Sequence, residues 1–97
     1  MNKEEVISLL NRLGIDTTGK FESDRYILQI PDSDEYSRYY TLLDQEEDFE
    51  LRETSSMSEE FATVLTYTND KYKIRLNANF TDDYYTFTVE ELWCPNI

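Results

Sequence analysis

Residues 61–93 read FATVLTYTNDKYKIRLNANFTDDYYTFTVEELW, and their two-residue alternation reads as an antiparallel meander with one inward face. A two-residue turn at Asn69-Asp70 pairs Tyr67 with Tyr72, Leu65 with Ile74, Thr63 with Leu76 and Phe61 with Ala78. A second turn at Asp82-Asp83 pairs Phe80 with Tyr85, Ala78 with Phe87 and Leu76 with Val89, and sets Tyr72 against Trp93. All these apolar positions fall on one face. On the other face Arg75 stands opposite Glu90, a favourable cross-strand charge pair. Two turns placed independently agree on one inward face, which a chance pattern rarely achieves. Glu91 opposite Ile74 breaks the pattern and reads as a bulge or a frayed strand end.

Working back from this meander, residues 21–30 already have period two, with Tyr26, Leu28 and Ile30 alternating before the turn residues 31–34. Tyr36 to Leu43 reads as another strand, with Tyr40 and Leu42 on one face and Tyr39, Thr41 and Leu43 on the other. Asp44 to Asp48 forms a connecting loop, Phe49 to Arg52 a short strand, and Thr54 to Ser58 a polar break. The N-terminus follows a helical period instead. Val6, Leu9, Leu10 and Leu13 share one face, Asn2 and Glu5 fit a capping box, and Gly14 followed by Ile15 fits a helix stop. The expectation is a single α+β domain over residues 1–97, in which an N-terminal helix packs on an antiparallel sheet of five or six strands.

Composition bounds the function. The chain has 97 residues, with 21 Asp+Glu against 9 Lys+Arg and a formal charge of −12. That field repels nucleic acid and anionic membrane, so neither is expected as a direct partner. High charge with low hydrophobicity often means disorder. Here eight Tyr, five Phe and one Trp, with only two Gly and two Pro, supply a core instead. The absence of histidine removes imidazole chemistry, and the single Cys94 removes a disulfide framework or a thiolate metal cluster. Glu4 and Glu5 stand where a signal peptide would be basic, and no apolar run reaches 18 residues, so a cytoplasmic protein is expected.

No catalytic constellation emerges. Asp82 and Asp83 form a close carboxylate pair, but at a position where the hairpin needs turn residues. Asp32-Ser33-Asp34 and the 44–48 loop superficially suit calcium. A helix–loop–helix calcium site needs Gly at its sixth position, and Ser37 and Phe49 stand there. The serines lack an activating base, Cys94 beside Pro95 has none, and Gly14 and Gly19 do not form a phosphate loop. Neither enzyme activity nor a cofactor nor a metal is expected.

The distribution of charge says more than its sum. Residues 32–60 carry eleven acids against Arg38 and Arg52, a net of −9. Tyr36, Tyr39, Tyr40 and Phe49 are interleaved with them, and tyrosine beside charge is a common interface composition. One reading is a solvated face that maintains solubility. The other is a surface selected for a positive partner, because one-sided charge costs stability through self-repulsion. On that reading Asp32, Asp34, Glu35, Tyr39, Asp44, Glu46, Glu47, Asp48, Glu50 and Glu53 are the partner-binding residues. The partner is then a protein with a basic nucleic-acid-binding groove, such as a nuclease, and acids stand where phosphates would. Reversing Glu46, Glu47 and Asp48 to Lys is expected to abolish binding and spare the fold. Lys71, Lys73 and Arg75 form the one basic row, expected to pair with Glu90 and other acids of the sheet.

In size, charge and element order the whole chain resembles phage-encoded anti-CRISPR proteins, uracil-DNA glycosylase inhibitors and other DNA-mimicking inhibitors. The resemblance has no residue signature and carries over no site residues. It implies a stoichiometric inhibitor, in the bacterial host cytoplasm, that occupies the nucleic-acid site of a defence or repair enzyme, such as a CRISPR effector. The alternative is an immunity protein neutralising a cognate nuclease toxin. A phage neighbourhood of the gene favours the first, and an adjacent toxin gene the second.

Overall fold

A computed structural model describes residues 3–22, 24–57, 62–79 and 83–91. In chain order the elements are α1 (Lys3–Leu13), β1 (Lys20–Glu22), β2 (Arg25–Ile30), α2 (Ser33–Gln45), β3 (Glu50–Met57), β4 (Ala62–Thr68), β5 (Tyr72–Asn79) and β6 (Tyr84–Glu91). The strands form one antiparallel sheet in the order β1-β2-β6-β5-β4-β3, and both helices contribute to the core on one side of it. The architecture is α+β, with two helices rather than one.

Helix α1 follows its sequence signals. Val6, Leu9, Leu10 and Leu13 are buried. Gly14 takes φ +79°, the left-handed region where a Cβ is unfavourable. Its N–H donates to the Asn11 carbonyl at 3.2 Å, and the Ile15 N–H donates to the Leu10 carbonyl at 2.8 Å, the two hydrogen bonds of a glycine helix stop. The Asn2 cap lies outside the described residues.

The strand expected over Tyr36 to Leu43 is instead most of α2. Asp32, expected as a turn residue, is its N-cap and accepts from the Glu35 N–H at 2.9 Å. Asp34 and Glu35 lie in the first turn, where the helix dipole favours acids. Tyr36, Tyr39 and Leu43 are buried at offsets of three and four, a helical stripe. Tyrosine and threonine favour strands in isolation, but this cap and stripe override that weak preference. The polar stretch from Thr54 is likewise no break. β3 continues to Met57 along β4, with a bulge between Leu51 and Glu53 that leaves Arg52 as the extra residue.

The two hairpins keep the expected inward face but shift register by two residues. Tyr67 faces Ile74, Leu65 faces Leu76, and across the other pair Ile74 faces Val89 and Leu76 faces Phe87. Asn69 explains the first shift. Its side-chain oxygen accepts from the N–H groups of Lys71 and Tyr72 at 2.8 and 2.6 Å, so it precedes the turn and Asp70-Lys71 form it. In the second hairpin Asn79 faces Tyr84, so four residues, 80–83, connect the strands. Because a shift of two preserves the face, the core assignment survives. It also moves Glu91 from Ile74 to Tyr72, at the end of β6 as the strand-end reading expects, while Ile74 receives Val89. Phe61, Phe80 and Trp93 lie outside the described residues.

The core joins both helices to the inward residues of the sheet, with Tyr26, Phe87, Ile74 and Leu76 at its centre. Gly19 marks the tightest approach. A Cβ there would stand 2.5 Å from the Ile27 carbonyl oxygen and 2.6 Å from the Tyr26 ring. The Tyr26 hydroxyl occupies that space, accepting from the Gly19 N–H at 2.9 Å and donating to the Asp16 carbonyl at 2.7 Å.

Candidate partner-binding surface

The sheet separates the charges. The face turned away from α1 and α2 carries Lys20, Arg25, Arg52, Lys73 and Arg75 against Glu22, Glu50 and Glu90 among the described side chains. Thr66, Thr68, Thr86 and Thr88 stand among them on the same face. The helical layer has the opposite balance. From Asp32 to Asp48 it holds Asp32, Asp34, Glu35, Asp44, Glu46, Glu47 and Asp48 against Arg38. The sequence places the acids in the middle third, and the fold puts the densest part of them on one helix and its two ends.

These acids form two groups. Asp32, Asp34 and Glu35 open α2, and Asp44 to Asp48 close it, about 15 Å away along a helix rising 1.5 Å per residue. The first group fits the dipole. The second opposes it, since acids crowd the carbonyl end and no basic residue lies in the last turn. Two donors from other elements offset this. The Tyr67 hydroxyl on β4 donates to Asp44 at 2.8 Å, and the Arg12 guanidinium on α1 reaches Glu46 and Asp48, each at 3.1 Å. Burial, then the bond to Asp44, pushes the Tyr67 hydroxyl well above the ordinary tyrosine range.

The proposed contact residues therefore have unequal standing. Asp32 caps α2, Glu35 holds Arg38 at 2.9 Å, and Glu50 holds Arg52 at 3.2 Å. Within the described residues Asp34 and Glu47 enter no side-chain hydrogen bond or ion pair. Glu53 lies on β3 facing Thr66. Tyr39 must be corrected, because it is only 2% exposed, with its ring edge-on to Phe87 at 5.8 Å and Arg38 above it at 4.8 Å. It holds α2 to the sheet and presents nothing to a partner. Tyr36 and Phe49 are buried too, which leaves Tyr40, 37% exposed, as the aromatic group between the two acidic clusters. The signal that could have found this is Asp32-x-x-Glu35, a capping pattern ahead of Tyr36, Tyr39 and Leu43.

The basic row also divides. Lys71 lies in the turn and pairs with Glu5 on α1, which also accepts from the Tyr72 hydroxyl at 3.2 Å. The bond from Lys71 holds the Glu5 carboxyl below its ordinary range and raises the lysine. Lys73 faces Glu90 directly, and Arg75, expected opposite Glu90, reaches it diagonally at 3.6 Å. Among the described residues no three acids or thiols are grouped to hold a metal ion, and no helix is long and apolar enough to cross a membrane. No protein-family model, curated protein or solved structure matches this chain.

Proposed function

We propose that this chain is a non-catalytic acidic inhibitor in the bacterial host cytoplasm. It inserts α2 and the following turn into the basic nucleic-acid groove of a defence or repair enzyme, with a CRISPR effector as the leading target type. The observation that carries this reading is the acidic group at the C-terminal end of α2. Stability alone favours Lys or Arg there, each worth about 0.3–1 kcal/mol. The chain instead gathers Asp44, Glu46, Glu47 and Asp48, and uses Tyr67 and Arg12 to hold them. The charge density supports the same reading. A 13-residue helix is about 20 Å long, over which one strand of a DNA duplex carries about six phosphates. Residues 32–48 carry seven acids and one arginine over α2 and its ends.

The experiment is competition on CRISPR effectors loaded with guide RNA. Rising amounts of the protein should release bound target DNA, with an apparent affinity that falls steeply as salt rises. An effector that binds DNA and this protein together would refute occupation of the groove.

A further inference from the structure

The two edges of the sheet are unlike. β1 ends one side with three residues, whereas β3 ends the other with eight. An edge strand offers a row of backbone donors and acceptors, and proteins commonly block it with charge, Lys, Pro, a bulge or shortness. The N-terminal half of β3 has such guards, since the bulge falls at Arg52, between Glu50 and Glu53. Thr54-Ser55-Ser56-Met57 has none, yet keeps regular pairing with β4 on its inner side.

Charge selects the occupant. Residues 46–53 before this segment carry Glu46, Glu47, Asp48, Glu50 and Glu53 against Arg52, a net acidic flank even with Arg12 on Glu46 and Asp48, and Glu59 and Glu60 follow it in sequence. A second copy would bring the same acidic flanking sequence. An extended segment with a neutral middle and Lys or Arg at each end is complementary throughout. We propose that β3 is a docking edge that takes such a basic-ended strand from the partner as the seventh strand of the sheet. The basic character of that strand rests on the function proposed above; the backbone pairing rests on the edge alone. Because α2 leads through residues 46–49 into β3, one partner surface can meet both.

The test uses the full chain, isotopically labelled, with a synthetic peptide of alternating Thr and Val flanked by Lys-Arg at both ends. Two comparison peptides carry Glu-Asp ends or a central Pro. The basic peptide should slow exchange of outward-facing amides within residues 53–57 by about tenfold, a protection worth about 1.4 kcal/mol. The Pro and acidic peptides should bind at least about tenfold more weakly. If the basic peptide shifts residues 44–48 but leaves exchange at 53–57 unchanged, the strand-addition inference fails and the acidic-surface reading stands. If no cationic peptide perturbs either region at low salt, both fail. Protection of 53–57 without peptide, together with a dimer mass, would assign the edge to a second copy and overturn the proposed occupant.

Discussion

Arg12 turns the simplest test of the acidic surface into a test of the fold as well. Replacing Glu46 and Asp48 by Lys removes two ion pairs and sets two cations beside the guanidinium. The side chains are substantially exposed, 47% for Arg12 against 23% and 61% for its partners, so water screens each pair. Each is then worth about 0.2–1 kcal/mol. With the new repulsion included, the double reversal should cost about 1–2 kcal/mol. For a chain of this length that lowers Tm by roughly 4–16 °C. The control is Asp34→Lys with Glu47→Lys, which changes net charge by the same amount and leaves Arg12 untouched. It should stay within about 1 kcal/mol of the parent, because its main cost is the dipole term at Asp34. Adding Arg12→Glu to the Glu46→Lys and Asp48→Lys variant should recover at least half of the lost Tm. Calorimetric melts of the four proteins at low salt measure this. Equal Tm for the two double variants, or no recovery in the swapped one, would refute a stabilising role for the Arg12 pairs with Glu46 and Asp48. The control variant is then the cleaner probe of partner binding, since it alters the acidic surface alone.

Gly19→Ala should lower stability by about 1–3 kcal/mol, through overpacking against the Ile27 carbonyl and the Tyr26 ring. Tyr26→Phe should cost a similar amount, because it leaves the Gly19 N–H and the Asp16 carbonyl without their partner. Urea melts that show the double variant losing the full sum would refute a shared origin at this contact. Alkaline pH should also destabilise the fold. Burial, the leading cause in each case, raises Tyr26, Tyr36, Tyr39 and Tyr67 above their ordinary range. Their neutral forms therefore favour folding in full below the unfolded value of about 10, and that contribution is lost as pH climbs past it. Tyrosinate absorbance should rise together with loss of the folded circular-dichroism signal; complete titration of the tyrosines in a folded chain would contradict this account.

The α+β class, helix α1 with its glycine stop, the inward face of the meander and the acidic character of the middle third were legible along the chain. Each is written in local periodicity, turn chemistry or composition, and period two in a strand keeps its face even when the register moves by two. Packing between elements sets the rest, beginning at Tyr36 to Leu43. There strand-favouring residues form a helix because Asp32 caps it and the Tyr36, Tyr39 and Leu43 stripe can bury itself on the sheet. That change turned Tyr39 from a surface residue into core. It placed acids at both ends of one helix, and brought Arg12 and Tyr67, distant in sequence, to the acids at its C-terminal end. Such pairings cannot be read along the chain, because they depend on which elements share a layer, and burial against the sheet sets that.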